Sequence, residues 1–493
     1  MAAAAPWADV PARDTFFALV TGANSGVGLG ICQRLIDEFL ATRSLTSHLI
    51  LIPTTRDARK SAETTRHLRA HLLKTAASPR LRARTGDSSS PQDTAARVHL
   101  LSLQLDLCDL ATVHAAASRL VGATLPLDGH DGGVRVPRLD AVVLNAGMGG
   151  WTGVDWFKAA HNFLTAGWIQ AVTWPTFKVA PAGMTVDPLP PRKQQEEEDR
   201  GGRDGGRARP LVGQLFCANV FGHYLFARAI LPLLSRRRGP GADAGIPPGR
   251  LIWESSVEAA REHFRPDDLQ GLETNAPYES TKRLTDLLVL TADLPAARAH
   301  SAPYWRLPPP SPPGAAAAAA EEEGGEGEHQ PPKVYVCHPG IVVTTILPLP
   351  MILQALWTFA AYVARYFGSA WHTNTAYNAA VAMVWLALAT QETLDAAGAG
   401  AVKWGSACDI RGNALVKETE VDGWGWRGKV EGLEDDDGAT GPLRKIKGRK
   451  KGARLVTEES RAEFEETGAR CWREMERLRL EWETRMKEAG LTG

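Results

Sequence analysis

Apolar residues occur in short, nearly continuous runs that alternate with stretches of helical periodicity along most of the chain. Such runs, bounded by turn residues, are typical of strands buried on both faces, whereas spacings of three and four indicate helices. The predicted strands are residues 16–21, 48–53, 98–106, 139–144, 250–255 and 333–338, and the clearest predicted helices are residues 28–40, 211–234 and 277–291. This alternation predicts an α/β fold with a doubly wound parallel sheet, in which ligands bind at the carboxyl ends of the strands.

Four segments are rich in Pro, Gly, Ala and charged residues and poor in the apolar side chains that a core requires. They are residues 77–95, 187–210, 236–250 and 306–332. Because this composition buries too little apolar surface to offset the entropy of ordering, we expect disordered insertions in surface loops. The 493 residues then contain a single domain at residues 12–422, followed by a polar linker at residues 423–456.

An amphipathic pattern follows the linker. Between residues 457 and 489, large apolar residues recur at spacings of three, four and seven among many Glu and Arg residues, which predicts a C-terminal helix. These residues are Phe464, Trp472, Met475, Leu478, Trp482 and Met486. Either this face packs on its own domain or it docks on a partner protein, and the pattern fits both.

A second apolar stretch lies at residues 346–368. Pro348 and Pro350 interrupt its start and Arg365 closes it, so residues 351–364 are the uninterrupted part, which is shorter than the ~20 residues that cross a bilayer. We therefore expect a helix that covers an apolar ligand or lies at a membrane interface. A membrane span and a plain core helix are the alternatives.

Composition narrows the function classes. Lys plus Arg equal Asp plus Glu at 56 each, so the chain has no net charge that would attract nucleic acid. We interpret the basic runs at residues 236–238 and 445–451 as solvated loop charge, with contact to anionic lipid headgroups as the alternative. The six cysteines lack the spacing of metal ligands, so we expect no metal and a reduced, intracellular setting.

The first predicted strand leads into a glycine-rich turn with the spacing Gly22-x-x-x-Gly26-x-Gly28, and a predicted helix follows. Glycines let the backbone approach a pyrophosphate closely, and the free N–H groups at the helix N-terminus bind its negative charge. An ordinary turn is the alternative. The strand before the turn and the helix after it favour a dinucleotide site.

The end of the second predicted strand, residues 53–57, bears on the choice of dinucleotide. An acidic residue there would bind a ribose hydroxyl and select NAD, whereas an arginine accommodates the additional phosphate of NADP. Arg56 favours NADP, and Asp57 leaves NAD open. The residues assigned to this role are Thr54, Thr55, Arg56 and Lys60, with Arg59 as an alternative to Lys60.

Two further strand ends carry polar residues. Asp106 ends the third predicted strand, and Asn145 follows the fourth. A carboxylate at this position can accept a hydrogen bond from an adenine amino group, and an asparagine can bridge strand ends beside a cofactor. Each residue alone would more commonly be a helix cap or turn residue. Their positions at successive strand ends favour cofactor binding.

Tyr278 and Lys282 are four residues apart in a predicted helix, so they share one face. A neighbouring ammonium group favours the phenolate and lowers the pKa of the tyrosine toward working pH. The pair Ser255-Ser256 precedes them. The order of glycine turn, serine pair and Tyr-x-x-x-Lys indicates transfer of hydride and proton between a nicotinamide and a carbonyl.

These motifs, with Asn145-Ala146-Gly147 and the Pro339-Gly340 turn, resemble the short-chain dehydrogenase/reductase family, whose fold is Rossmann-like. The following roles are implied by that resemblance. Tyr278 protonates the nascent alkoxide, and Lys282 lowers the pKa of the phenol and holds the nicotinamide ribose. A serine orients the substrate carbonyl, and Asn219 completes a proton relay through water.

The serine assignment stays open between Ser255 and Ser256 at this point. Ser256 matches the second serine of the family pair better, but residues 258–275 make the gap between serine and tyrosine longer than in the family. The resemblance also implies a set of cofactor-binding residues. They are Gly22, Ser25, Gly26, Gly28, Leu29, Thr54, Thr55, Arg56, Lys60, Asp106, Asn145, Tyr278, Lys282, Ile341, Val343 and Thr344, with Thr345 as an alternative to Thr344.

Six further segments resemble a narrower group, the 3-keto-steroid reductases of fungal sterol C-4 demethylation. They are residues 153–156, 171–176, 218–222, 274–283, 368–372 and 403–407. This resemblance implies NADPH-dependent reduction of a sterol C3 ketone to the 3β-hydroxysterol in ergosterol biosynthesis. It further implies peripheral membrane contact at the endoplasmic reticulum or lipid droplets, with a C-4 methyl oxidase, a C-4 decarboxylase and a scaffold protein as partners.

Two alternatives remain. One is a related reductase of 17-keto steroids or of another hydrophobic ketone. The other is a non-catalytic scaffold of a membrane sterol-synthesis complex. The intact set of Asn, Ser, Tyr and Lys disfavours the scaffold, because a scaffold does not need those residues.

Overall fold

The predicted apolar runs form the strands of one central sheet. A computed structural model describes residues 5–86, 90–129, 132–189, 210–237, 245–307, 329–343, 350–430, 450 and 452–491. The strands of the main sheet are β1 (Thr15–Val20), β2 (His48–Thr55), β3 (Val98–Leu100), β4 (Leu103–Gln104), β5 (Ala141–Leu144), β6 (Arg250–Glu254), β7 (Lys333–His338), β8 (Lys403–Cys408) and β9 (Ala414–Thr419). Two-residue strands pair outside it at Leu125–Pro126 with Gly133–Val134, Gly153–Val154 with Lys178–Val179, Thr185–Val186 with Val212–Gly213, and Arg236–Arg237 with His329–Gln330.

Strand order places a crevice in the middle of the sheet. The order is β9-β8-β7-β6-β5-β1-β2-β3, with β4 also paired to β2. All neighbours are parallel except β8 and β9. The direction of winding reverses between β1 and β5, and ligands of such sheets bind at the carboxyl ends beside that reversal. The prediction of a doubly wound parallel sheet is confirmed.

Helices cover both faces of the sheet. They are α1 (Gly26–Thr42), α2 (Ala58–Ala76), α3 (Pro79–Thr85), α4 (Pro91–Ala95), α5 (Leu110–Gly122), α6 (Trp156–Ala166), α7 (Trp168–Thr173), α8 (Gln214–Phe216), α9 (Gly222–Ala229), α10 (Leu231–Leu234), α11 (Pro277–Thr291), α12 (Pro295–Ser301), α13 (Met351–Tyr366), α14 (Ala376–Ala379), α15 (Val381–Leu388), α16 (Gln391–Ala396) and α17 (Glu458–Glu488). Residues of α1, α2 and α15 share one apolar core, and residues of α5, α9, α11 and α17 share the other. A strand buried on both faces requires the continuous apolar runs that the sequence contains.

Two elements differ from their predicted extents. The helix predicted at residues 211–234 begins at Gln214, contains a π-helical turn at Cys217–Phe221 and breaks at Ile230, before Pro232 in the first turn of α10. The strand predicted at residues 98–106 is split into β3 and β4, because Leu101 pairs with Leu127 instead. Apolar periodicity does not report either interruption.

The expectation of disorder at residues 77–95 is wrong for most of that segment. Two short helices, α3 and α4, form there, and each begins with a proline after a serine cap, Ser78 or Ser90. The Arg84 guanidinium donates to the Leu40 carbonyl at 2.9 Å, which ties α3 to the end of α1. Caps and backbone contacts thus order a segment that has few apolar residues. Residues 87–89 lie outside the described residues.

The other predicted insertions lie mainly outside the described residues, at 190–209, 238–244 and 308–328. Arg236, which we interpreted as solvated, is instead buried and donates to the Leu139 carbonyl at 2.7 Å. Of the basic run at residues 445–451, the structure describes only Lys450, which forms an ion pair with Glu262. Residues 344–349, including Thr344 and Thr345, are outside the described part as well.

The C-terminal helix α17 packs on its own domain. All six apolar residues of its predicted face are buried. The Trp472 indole donates to the Leu288 carbonyl of α11 at 2.9 Å, and the Tyr224 hydroxyl donates to Glu476 at 2.6 Å. A Cβ at Gly468 would lie 2.3 Å from Thr291 Oγ1, so glycine permits the close helix contact. The apolar face of α17 is therefore covered by the chain itself.

Candidate active site

The glycine turn between β1 and α1 has a geometry that only glycine supports. Gly22 and Gly26 adopt positive φ angles of 67° and 53°, and a Cβ at Gly28 would lie 2.3 Å from the Gly22 carbonyl oxygen. Ser25 precedes α1 without a side-chain cap, and Leu29 lies in its first turn. The first N–H groups of a helix lack intrahelical partners. The turn is thus a cradle for an anionic group and fits a dinucleotide pyrophosphate.

Asn145 joins the ends of β1 and β5 beside this turn. Its side-chain amide donates to the Thr21 carbonyl at 2.8 Å, and its backbone N–H donates to Thr21 Oγ1 at 2.9 Å. Thr21 Oγ1 also lies 2.9 Å from Nε2 of the buried His223. Asn145 therefore holds two strand ends together at the crevice, the geometry that its position predicts.

At the end of β2, the residues proposed to determine the preference for NAD or NADP have different surroundings. Thr54 and Thr55 are buried, where Thr54 Oγ1 accepts from the Gly22 N–H at 3.4 Å and Thr55 Oγ1 donates to the Asp57 carbonyl at 3.0 Å. Asp57 caps α2 by accepting from the Lys60 N–H at 2.8 Å, and its other oxygen lies 3.4 Å from Lys60 Nζ. Arg56 and Arg59 are exposed. The Asp57 carboxylate is thus engaged in a helix cap, whereas Arg56 reaches solvent.

Asp106 is half-buried after β4, where its carboxylate accepts from the Cys108 N–H at 3.0 Å. On the opposite side of the crevice, Ile341 and Val343 follow β7. Their N–H groups donate to the carbonyls of Trp371 and Asn374 at 2.7 and 3.2 Å. These backbone contacts fix the loop that precedes residue 344, which itself lies outside the described residues.

Tyr278 and Lys282 occupy the N-terminal half of α11, which begins at Pro277. Lys282 Nζ lies 5.6 Å from the centroid of the Tyr278 ring and donates to the Glu254 carbonyl at the end of β6, at 2.8 Å. Proline at the first helical position fixes the start of the helix without losing a backbone bond. The tyrosine and the lysine therefore project together toward the carboxyl end of β6.

The two serines of the pair point in different directions. Ser256 lines the cleft beside Tyr278, whereas the Ser255 hydroxyl donates to the Lys282 carbonyl at 3.1 Å within the protein. The long segment between serine and tyrosine contains two short 3₁₀ helices, Arg261–His263 and Pro266–Asp268, and returns to the site. The geometry brings Ser256, and not Ser255, to the tyrosine.

Asn219 lies in the π-helical turn Cys217–Phe221. Its Oδ1 accepts from the Met148 N–H at 2.8 Å, and its Nδ2 donates to the Met148 carbonyl and to Thr281 Oγ1, each at 3.1 Å. Thr281 Oγ1 donates in turn to the Tyr278 carbonyl at 2.7 Å. The Asn219 side chain thus joins the loop after β5 to the helix that carries Tyr278. π-helical turns occur frequently at functional sites.

The electrostatics around the phenol differ from the expectation of a lowered pKa. Burial raises the pKa of Tyr278 above its ordinary value, and the charge of Glu258 acts in the same direction. The nearby Ser256 hydroxyl lowers that pKa, whereas Glu254 and Glu279 raise it. Burial also lowers the pKa of Lys282. Desolvation and the nearby carboxylates have the larger effect, and the Tyr-x-x-x-Lys spacing does not report either of them.

Several charged residues at the site were missed by the sequence analysis. Lys178 forms ion pairs with Glu258 and Glu279, and the side chains of all three are largely buried. Glu254 has a carboxylate oxygen, Oε2, that is buried without a hydrogen-bond partner among the described residues. The signal available in the sequence was a charged residue within otherwise apolar surroundings, as at Lys178 between Phe177 and Val179.

An apolar cleft of about 290 Å³ begins at Tyr278. Its polar end contains Ser256, Glu254 and Lys178, and the Pro339–Gly340 turn forms one side. Its apolar walls come from α6, α13 and the loops between them. These lining residues are Trp151, Val154, Trp156, Ala159, Phe163, Pro175, Phe177, Leu353, Leu356, Trp357 and Ala360. A cleft with one polar end and long apolar walls suits an apolar ligand that carries a single polar group.

The chain is similar in sequence to 3-keto-steroid reductases of several fungi. The 3-keto-steroid reductase ERG27 of Gibberella zeae is 46% identical over 491 residues, which covers 98% of this chain and 97% of that protein. ERG27 of Aspergillus fumigatus is 40% identical and covers 96% and 95% of the two chains. The 3-keto-steroid reductase of Schizosaccharomyces pombe is 28% identical and covers 82% and 90%. No protein-family model matches the chain.

Solved structures with similar folds include two ketoreductases. A 3-oxoacyl-(acyl-carrier protein) reductase from Brucella melitensis in complex with NAD has a TM-score of 0.36 and 16% identity, covering 76% of this chain and 89% of that one. An actinorhodin polyketide ketoreductase with NADPH also has a TM-score of 0.36, with 14% identity, covering 80% and 95%. On the strength of its 46% identity across 98% of its length, the chain belongs to the fungal 3-keto-steroid reductase family, a group of short-chain dehydrogenases/reductases, and is an oxidoreductase acting on a C=O or CH–OH group.

Proposed function

We propose that the chain is an NADPH-dependent reductase that converts the C3 ketone of a sterol to the 3β-hydroxysterol during C-4 demethylation in ergosterol biosynthesis. One observation carries the proposal: Tyr278 and Ser256 both line the polar end of an apolar cleft. A sterol ketone has the matching chemistry, with one polar oxygen at the end of a long apolar body. The names of the relatives support the 3-keto position.

Each residue of the proposed catalytic set has a separate role in the reaction. Bound nicotinamide supplies the hydride. Ser256 donates a hydrogen bond that orients the ketone, and Tyr278 transfers its phenolic proton to the oxygen as negative charge develops there. Lys282, held by the Glu254 carbonyl at 2.8 Å, places a positive charge beside the phenol and next to the ribose position. Asn219 fixes the start of α11 through Thr281 and stands beside the proposed water relay.

The preference for NADPH rests on Arg56. It is exposed at the carboxyl end of β2, and a guanidinium binds an additional phosphate through bidentate hydrogen bonds. Asp57, the residue that would favour NAD, is engaged by Lys60 in the cap of α2. We assign the remaining cofactor contacts to Asp106, Asn145, Ile341, Val343 and Thr344.

A lipid surface is the proposed neighbour of the cleft. Large apolar side chains of α6 and α13 are exposed around it, with Phe157, Leu164 and Met351 exposed by 92%, 87% and 86%. The Trp168 indole of α7 donates to the Ala360 carbonyl of α13 at 3.2 Å, and this hydrogen bond connects α7 to α13. Residues 156–186 and 351–391 contain no Asp or Glu, and Lys158 and Arg365 are among their few charges. Apolar and cationic side chains together suit an anionic membrane surface.

No helix among the described residues is long and apolar enough to cross a bilayer. We therefore propose peripheral contact, through α6, α7 and α13, at the endoplasmic reticulum or at lipid droplets. The resemblance to the fungal reductases extends the proposal to a C-4 methyl oxidase, a C-4 decarboxylase and a scaffold protein as neighbours. A sterol would then enter the cleft directly from the lipid.

The experiment that tests the activity uses the purified full chain, NADPH and a panel of 3-keto and 17-keto steroids, with Tyr278→Phe as the paired variant. We expect 3-keto sterols to be reduced and Tyr278→Phe to lower kcat on the order of 10³-fold while NADPH still binds. Preferential turnover of 17-keto steroids would contradict the substrate assignment. Wild-type activity in Tyr278→Phe would contradict the assignment of the proton donor.

A further inference from the structure

The ring of Tyr278 lies between two lysines. Lys282 Nζ lies 5.6 Å from the ring centroid and Lys178 Nζ lies 5.5 Å from it. Lys282 belongs to the same helix as Tyr278, whereas Lys178 comes from the short strand Lys178–Val179 that pairs with Gly153–Val154. The second lysine is therefore brought to the phenol by tertiary structure alone.

Lys178 is held in place on three sides. Its ammonium group forms ion pairs with Glu258 and, at 2.9 Å, with Glu279. It also lies 3.8 Å from the centroid of the Trp151 ring, and that ring lies 4.7 Å from the Tyr278 ring. A cation over an indole face is attracted by the electrons of the ring. Lys178 thus fixes Trp151 against Tyr278 and forms part of the cleft wall.

Apart from the two lysines, the charged groups around the Tyr278 hydroxyl disfavour its phenolate form. Glu258, Glu254 and Glu279 all act to raise the pKa of Tyr278, in addition to burial. Burial also raises the pKa of Glu258 to about 7 and that of Glu254 to about 8. His263 faces Glu279 and Lys178 from the loop between serine and tyrosine, and burial lowers its pKa. Lys178 contacts two of the three carboxylates directly.

We propose that Lys178 is a positioning residue of the reductase, which holds Trp151 against Tyr278 and offsets Glu258 and Glu279 while the phenol gives up its proton. The proposal rests on the proposed function. In the step concerned, the phenolic O–H bond breaks, the proton joins the alkoxide oxygen, and the phenolate is later reprotonated from solvent. Lys178 exchanges no atoms in this step and acts through Tyr278.

The test measures kcat, KM and their pH dependence for the full chain with NADPH and a 3-keto steroid. Lys178→Met should lower kcat on the order of tenfold and leave the KM for NADPH unchanged. In the direction of reduction, activity is lost as pH rises through the kinetic pKa of the proton donor. Removing the cation raises that pKa, so the falling limb should move up by about one pH unit.

Three further variants and one control keep the proposal falsifiable if Lys178→Met folds poorly. Lys178→Arg should retain most activity. Glu258→Gln should move the falling limb to lower pH, and in the Lys178→Met background it should restore part of the lost kcat. Lys74→Met, at an exposed site on α2, is the matched control and should change nothing.

An unmoved pH profile in both Lys178→Met and Glu258→Gln overturns the proposal, and so does the failure of Glu258→Gln to rescue Lys178→Met. Loss of folding alone would give lower activity with an unchanged profile, which circular dichroism and NADPH binding would identify. An inactive wild-type chain would contradict the proposed function and this inference with it. An active wild type with unaffected variants would contradict this inference alone.

Discussion

The Ser255 hydroxyl donates to the Lys282 carbonyl at 3.1 Å, whereas the next residue, Ser256, lines the polar end of the cleft beside Tyr278. Two neighbouring serines thus have different tasks, since consecutive residues after a strand point in opposite directions. The one faces the cleft and the other faces the packed interior.

Substitution of these serines should give contrasting results. Ser256→Ala removes a hydrogen bond to the reacting oxygen and should lower kcat on the order of 10²-fold with little change in stability. Ser255→Ala removes a buried hydrogen bond and should cost about 1 kcal/mol of unfolding free energy while retaining most turnover. Steady-state kinetics and urea denaturation measure the two effects. The reverse pattern would assign the catalytic role to Ser255.

Arg56 should determine the choice between NADPH and NADH. Arg56→Ala removes the exposed guanidinium at the end of β2 and should raise the KM for NADPH on the order of tenfold while leaving the KM for NADH nearly unchanged. Initial rates with each cofactor measure the ratio. Arg66→Ala, which removes an exposed arginine further along α2, is the matched control. A wild-type preference for NADH would refute the assignment.

The apolar surface of α6 and α13 should bind lipid. A Phe157→Glu, Phe359→Glu double variant places two negative charges on exposed apolar positions and should abolish co-sedimentation with anionic vesicles. Turnover of a steroid dispersed in detergent should persist, because neither side chain lines the cleft. Leu73→Glu on α2 is the control for an exposed apolar residue elsewhere. Unchanged vesicle binding would point to another use of this surface.

A buried ion pair behind the site should be important for stability. Lys403 Nζ lies 2.7 Å from Asp286 Oδ2 and donates to the Ser256 carbonyl, also at 2.7 Å, and both side chains are excluded from water. Lys403→Met leaves the carboxylate unpaired and should destabilise the chain by ~3–5 kcal/mol. The double variant Lys403→Met, Asp286→Leu should recover most of that loss, since neither partner is then left as an unpaired buried charge. Urea denaturation of the wild type, Lys403→Met and the double variant measures the loss and its recovery.

The features that the sequence predicted depend on local spacing. Gly22 and Gly28 belong to a glycine-rich turn, and Tyr278 belongs to a helix, and the spacing of neighbouring residues indicates both elements. The central strands are apolar on both faces, so they form continuous apolar runs in the sequence. Contacts between distant segments were missed for the opposite reason. Lys178 and Glu258 meet only after the sheet forms, and no period in either segment records the other.

The low apolar content of residues 77–95 also led to a wrong expectation, that of disorder. There Ser78 and Ser90 cap short helices, and Arg84 bonds to a backbone carbonyl, so polar groups supply the order that apolar burial supplies elsewhere. The pKa of Tyr278 could not be predicted from the spacing of Tyr278 and Lys282 either. It depends on desolvation and on three carboxylates, of which only Glu279 is adjacent in the chain.

The packing of α17 on α11 has a consequence for how the protein is made. Ribosomes release the segment that carries Tyr278 and Lys282 long before they release residues 458–488, which cover that helix. A nascent chain therefore holds every motif of the site while one side of its central helix is still bare. A late stop codon would leave a product that retains every motif of the site but lacks the helix that covers α11, so the motifs alone do not report an intact fold.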